Sequence, residues 1–547
     1  MNSGMRAAER TMRLVNRRVR SLMAGVLSLA LLSVGVLGQE ALLRSGTGTA
    51  CTLEALGARA PRGTTILRTE RLPSTGAVPA FCQVDAQVAT LGNSVTIRLR
   101  LPESWNGKFL FHGVGGLAGS FEPQPPSATN LNTMLPGLLR GYAVASTDTG
   151  HQAASSDGSW ALNHLPKKLD YAHRGTHAAT VADKALTSGY YGAAPTRSYF
   201  TGCSNGGRMA LQEAQRYPQD FDGIIAGAPA IGSTSINRTL GYQALLASVN
   251  SYIPAAKLNA VSRAVTATCD GLDGLVDGLV SNPKACTFRP ETLTCRAGDA
   301  SDCLTTGQVD TLKKLYAGFR TSNGSAETLG FPMGHEAGAT GWTAWIVGQA
   351  APERQNDGSL LFSQAPPAGY RFQDQYLRYL AFERDQPNYD WRRFNFDRDA
   401  PKLQFMSEIM RPTADLRPFQ ARGGRLLLYH GWADPAISAY STIDYYERVT
   451  RTLGGGSTAE DTVRLFLAPG MHHCAGGPGP NSFAAEAIAA LEAWVERGVA
   501  PNSILATHSD GSGAIDRTRP LCRWPLIAKY QGTGSIDEAA NFSCSAP

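Results

Sequence analysis

The stretch TGCSNGGRMA, Thr201 to Ala210, sets Ser204 inside the pattern G-x-S-x-G, with a cysteine before it and a double glycine after it. The apolar run RSYF precedes it, and GRMALQEAQRYP follows with helix-forming composition until Pro218. A strand, a sharp turn and a helix are therefore expected, the geometry that lifts a serine Oγ clear of a sheet. With 58 glycines in 547 residues the pattern alone is weak, and an inert serine in a glycine turn is the alternative. The neighbouring cysteine is the unusual part and has to be explained.

Working outward, strand-like runs alternate with helical stretches, the order of a parallel sheet covered by helices. KFLFHGVGG, YAVASTDTG, FDGIIAGAPA, RLLLYHGWADPA and VRLFLAPGMHHC each end an apolar run in glycine or polar residues. A serine hydroxyl is a poor nucleophile until a histidine takes its proton and an acid orients that histidine. Asp434 follows one late strand and His473 the next, so Ser, Asp and His fall in the chain order of an α/β-hydrolase. The fold class expected is α/β, an α/β-hydrolase core. Asp434 precedes Pro435 and could instead be a turn former, and His472 competes with His473 as the base. An oxyanion needs preorganised N–H donors: Asn205 is one candidate, and Gly115 or Gly116 of HGVGGLAG is the other, with the choice between them open.

The ten cysteines suit an oxidising compartment. Spacing does not fix their pairing, but local neighbours suggest Cys51 with Cys82, Cys269 with Cys286, Cys295 with Cys303, and Cys522 with Cys544. Cys203 and Cys474 remain, each beside a residue of catalytic type. If they are bridged, their Cα atoms lie about 5.5 Å apart, and Ser204 and His473 are each one residue, about 3.8 Å, from those atoms. The bridge would then hold nucleophile and base within reach of one another.

Export fits the same picture. Residues 1–38 carry Arg6, Arg10, Arg13, Arg17, Arg18 and Arg20 against Glu9, followed by an apolar run from Ser21 to Gly38. This is the order of a cleaved signal peptide, with Arg17-Arg18 hinting at twin-arginine export and a single membrane anchor as the alternative. The expected location is secreted or periplasmic. Those arginines account for nearly all of the formal charge of +6, so no basic patch is left for nucleic acid, and no stable membrane partner is expected after cleavage.

Residues 230–419 change texture, rich in Gly, Pro, Trp and paired cysteines, and read as a lid inserted between catalytic segments 39–229 and 420–547. Within it CDGLDGLVDGLV crowds Asp270, Asp273 and Asp277 beside Cys269. Such carboxylates repel unless a hard cation such as calcium neutralises them or water solvates the turn.

Taken together, WNGKFLFHGVGG, TGCSNGGRMAL, CDGLDGLVDG, HGWADPAIS and GMHHCAGGPGP resemble the tannase and feruloyl esterase family over roughly Cys51 to Cys544. The resemblance implies a Cys-Ser, Asp, His-Cys set with its cysteines bridged, and a lid holding a structural Ca2+. By position the ligands are the carboxylates of Asp270, Asp273 and Asp277 and the carbonyls of Leu275 and Leu279. It also implies the five-bridge pattern suggested above, no organic cofactor, and a small aromatic ester as substrate, of gallate, hydroxycinnamate or terephthalate monoester type. Trp342, Trp345, Phe362, Phe372 and Trp391 are lid candidates for stacking, and Arg354 or Arg371 for a substrate carboxylate. A silent binding protein on the same fold is the rival from another class.

Overall fold

The computed structural model describes residues 49–232, 234–356 and 359–547, so the export-signal reading of residues 1–38 lies outside the described residues. Nine strands form the main sheet: β1 (Thr64–Leu72), β2 (Phe81–Thr90), β3 (Asn93–Pro102), β4 (Lys108–Gly113), β5 (Ala143–Thr147), β6 (Arg197–Cys203), β7 (Gly223–Gly227), β8 (Arg425–Gly431) and β9 (Val463–Ala468), in the spatial order β1-β2-β3-β5-β4-β6-β7-β8-β9. The first three pair antiparallel, and β3 pairs antiparallel with β5. From β5 across to β9 every pairing is parallel.

Residue chemistry explains that division. β3 alternates buried and half-buried side chains, as a strand with one wet face must, whereas β5, β7 and β9 are buried at every position. Their sequences AVAST, GIIAG and VRLFLA are accordingly almost continuous small or apolar runs. Helix α1 (Gly175–Tyr191) leads into β6, and helix α2 (Asn205–Arg216) leaves it. The chain steps from β4 to β5 on one side and then to β6 on the other, which makes the C-terminal ends of β4 and β6 a switch point where a crevice opens. The protein is an α/β-hydrolase.

The inserted segment has a core of its own. One apolar cluster is built wholly from residues between Leu240 and Leu403, including Trp342, Trp391 and residues of helices α3 (Thr234–Leu245) and α4 (Ala255–Cys269). Met406, Met410, Leu416 and Phe419, at the end of 230–419, pack instead with the sheet's core. Five disulfides join Cys51–Cys82, Cys269–Cys286, Cys295–Cys303 and Cys522–Cys544, the pairs that chain proximity suggests, and Cys203–Cys474, the two cysteines left over, 271 positions apart.

Candidate active site

Ser204 stands between β6 and α2 with φ 63° and ψ −123°, a backbone conformation that costs energy for a residue with a side chain. The surrounding glycines make it possible. A Cβ on Gly202 would come within 2.6 Å of the Gly206 backbone, one on Gly206 within 2.4 Å of the Gly113 carbonyl oxygen, and one on Gly207 within 2.3 Å of the Gly227 oxygen. The start of α2 is thus wedged between β4 and β7, and the Ser204 N–H donates to Gly227 at 3.0 Å. Ser204 stays half-exposed while almost everything around it is buried.

Asp434 lies three residues past the end of β8 and is fully buried. Its Oδ2 accepts from His473 Nδ1 at 2.7 Å and lies 3.1 Å from His430 Nε2, while Oδ1 accepts the Ala436 and Ile437 N–H groups at 2.7 and 3.0 Å. Burial alone would raise the pKa of this carboxyl. The field and hydrogen bonds of His473 and His430 outweigh burial and hold the group far below the usual carboxylate range. His472 turns away: its Nδ1 pairs with Thr340 Oγ1 at 2.7 Å and its Nε2 with the His335 carbonyl at 3.1 Å. Between the two histidines, Asp434 therefore engages His473. The Cys203–Cys474 bridge, with Cα atoms 6.0 Å apart, ties the residue before Ser204 to the residue after His473.

A cavity of about 520 Å³ opens over these residues, large enough for a ligand of one or two rings. Ser204, Asn205, Gly115, Gly116 and His473 are all on its wall. The Asn205 side chain donates to the Val114 carbonyl at 2.9 Å and accepts from Arg208, which fixes the start of α2 to the loop after β4. Gly116, at φ 62°, has no room for a Cβ because Ser155 O would lie 2.4 Å away.

Of the lid candidates, Trp345 and Phe372 line the cavity, their rings 6.0 Å apart and 16° from parallel, and Trp345 meets the His473 ring edge-to-face with centroids 4.8 Å apart. Trp342 and Trp391 are buried in the lid core, and Phe362 packs on Tyr370 at 4.8 Å. Arg354 donates to the Leu246 carbonyl at 3.0 Å and Arg371 to Ser156 Oγ at 3.5 Å, and neither is on the cavity wall. Sequence reasoning missed Arg238. This α3 residue lines the cavity, reaches both rings through cation–π contacts at 5.9 and 5.7 Å, and donates to the Ala436 carbonyl at 3.2 and 2.8 Å. Its desolvated setting lowers its pKa to about 10, leaving it charged at neutral pH.

The acidic turn follows α4. Asp270 accepts the Asp277 and Gly278 N–H groups, Asp273 accepts Leu275 N–H at 3.0 Å, and Asp277 accepts Leu279 N–H at 3.1 Å and Arg519 Nη2 at 2.5 Å. Burial raises the pKa of Asp273, and the nearby Asp270 adds to it; burial likewise raises that of Asp277 against the pull of Arg519 and Arg517. Three carboxylates gathered in one turn, of which Asp277 is paired with Arg519, form an all-oxygen donor set that fits a hard cation such as calcium.

A serine at a strained strand-to-helix turn, on the wall of a cavity shared with a carboxylate-oriented histidine, defines an α/β-hydrolase of the esterase type. The profile described as "Tannase and feruloyl esterase" matches residues 82–545. Mono(2-hydroxyethyl) terephthalate hydrolase of Piscinibacter sakaiensis is 34% identical over 534 residues, covering 87% of this chain and 86% of that protein. A probable feruloyl esterase of Arthroderma benhamiae is also 34% identical, over 85% of this chain and 86% of its own. The crystal structure of feruloyl esterase B from Aspergillus oryzae superposes with a TM-score of 0.77 at 25% identity, covering 90% of this chain and 100% of that one. The chain belongs to the tannase and feruloyl esterase family and is a carboxylic ester hydrolase.

Proposed function

We propose that the protein is an exported serine esterase that cleaves small esters of aromatic acids through an acyl-enzyme. The observation that carries this reading is the hydrogen bond from His473 to Asp434 on the rim of a cavity that also exposes Ser204 and the Trp345–Phe372 pair. His473, with Nδ1 engaged by Asp434, takes the Ser204 proton on Nε2 as Oγ attacks the ester carbonyl. The Asn205 N–H and an N–H of Gly115 or Gly116 receive the developing oxyanion. His473 then protonates the departing alcohol, and water repeats the sequence to release the acid. The near-parallel rings of Trp345 and Phe372 suit a flat acyl group.

A second reading narrows the substrate to mono(2-hydroxyethyl) terephthalate. It is favoured by the relative of that name and by Arg411, an exposed guanidinium on the cavity wall that can pair with an acidic acyl group. Comparing kcat/KM for methyl gallate, methyl ferulate and mono(2-hydroxyethyl) terephthalate separates the readings. Ser204→Ala is expected to lower kcat by roughly 10⁴ to 10⁶ and to abolish labelling by an organophosphonate. A folded variant that keeps near-normal turnover sinks the reading.

Asp270, Asp273 and Asp277, with the Leu275 and Leu279 carbonyls, would hold the structural calcium and so pin the lid's entry to helix α4. Chelation is expected to lower the Tm of the untreated enzyme by the equivalent of about 3 kcal/mol at a hundredfold excess of free calcium over Kd. A thermal scan that Asp273→Asn and chelator leave unchanged removes calcium from the account. The five disulfides support the secreted or periplasmic location.

A further inference from the structure

The helix that starts at Ser204 ends in a second group of ionisable side chains with no part in ester cleavage. Glu213, in the last turn of α2, is completely buried, and among the described residues no hydrogen-bond donor reaches either of its carboxylate oxygens. One of those oxygens, a carboxylate oxygen of Asp220 and a ring nitrogen of His177 lie within 4.8 Å of one another. Three separate elements supply them: His177 from α1, Glu213 from α2 and Asp220 from the loop that enters β7.

The set is held in place. His177 Nδ1 is 2.6 Å from Asp220 Oδ2, and its imidazole lies flat on the Tyr217 ring with centroids 3.9 Å apart. The nearby cation, Lys184, directs its ammonium to the backbone carbonyl of Asp220 and leaves the Glu213 oxygens without a donor. The negative end of the α2 dipole falls at the same place. A buried carboxylate with nothing to bond is costly, and it needs either a proton or a cation.

From this geometry we infer that His177, Glu213 and Asp220 bind a divalent transition-metal ion of the zinc class. One imidazole and two carboxylates match the mixed nitrogen and oxygen ligation of Zn2+, with the fourth position left to water, whereas calcium and magnesium select oxygen alone. The His177 side chain is 37% exposed, which gives the ion a way in, while Glu213 is sealed beneath it. Bound there, the ion cross-links α1, α2 and the loop before β7. Glu213 sits nine residues along α2 from Ser204, about 14 Å at 1.5 Å per residue. The site therefore serves the footing of the nucleophile helix and takes no part in the reaction.

The test uses the full mature protein, stripped with chelator and returned to excess calcium so that the acidic turn of the lid does not report. Calorimetric titration with zinc chloride is expected to show one zinc per chain, with a rise in Tm on saturation. Glu213→Gln should weaken binding by more than about 100-fold, beyond the loss typical of an outer-shell partner. His177→Phe keeps the ring stack on Tyr217 and should weaken binding as much, which tests the site even if the glutamine variant folds poorly. Equal zinc uptake by the parent and both variants places the ion elsewhere and overturns the inference. Absence of zinc binding by the parent protein overturns it too, and leaves Glu213 and Asp220 sharing a proton.

Discussion

Asp434 and Glu213 are two carboxylates buried in the same α/β frame, and their surroundings are opposites. Asp434 is ringed by two backbone N–H groups and two histidines, and its carboxyl is held far below the ordinary range despite the burial that opposes it. Glu213 has no donor among the described residues, so burial raises its pKa well above the ordinary range, and the charge of Asp220 raises it further. Burial acts in the same direction on both. What separates them is the number of donors aimed at the oxygens, which makes one group a permanent anion able to orient an imidazole and leaves the other in need of a partner.

The sharpest way to break the comparison is at Asp434. Asp434→Asn keeps the shape but presents an amide to groups that need an acceptor, and kcat should fall by about 10⁴ in steady-state assays. A loss below tenfold would mean that His473 is oriented by something else. A smaller effect is expected one shell further out, where Arg238 grips the Ala436 carbonyl while the Ala436 N–H serves Asp434. Arg238→Met should reduce kcat/KM by roughly tenfold, on the order of 1.4 kcal/mol, with partial recovery in Arg238→Lys. A change confined to KM would show that Arg238 supports only the aromatic wall, and a change confined to kcat that it supports only the acid loop. The smallest effect belongs to the other carboxylate. Removing a buried carboxylate that nothing pairs should leave stability unchanged or raise it by about 1 kcal/mol, so Glu213→Gln in metal-free protein at pH 8 should not melt earlier than the parent. Earlier melting would reveal a donor to Glu213 and erase the contrast.

How much of this was legible in the sequence varied with how local its cause is. The turn at Ser204 could be read because its signature is local: Gly202, Gly206 and Gly207 stand within three positions of the serine, although the backbones that a Cβ on Gly206 or Gly207 would strike, those of Gly113 and Gly227, come from β4 and β7. β8 and β9 could be read because both are buried, mostly apolar parallel strands, and that places Asp434 and His473 just beyond their ends. Helix phase was not readable. Trp342 and Trp345 are three residues apart, yet one fills the lid core and the other faces the cavity. Arg238 and Glu213 look like solvent-facing residues of helices, and only chain segments some 200 residues away and a neighbouring helix, respectively, give them their settings. Nor does composition tell which core Met406, Met410, Leu416 and Phe419 join: they lie at the end of the insert's sequence and pack with the sheet.

The Cys203–Cys474 bond gives the molecule a dependence on its surroundings that the sheet alone would not impose. Ser204 and His473 stand on loops 269 positions apart in the chain, and one sulfur–sulfur link between their neighbours limits how far those loops drift. A chain kept among reduced thiols is therefore expected to fold into an idle hydrolase whose proton relay opens and closes with loop fluctuations. On the proposed mechanism, oxidation of that one pair would be the arming step.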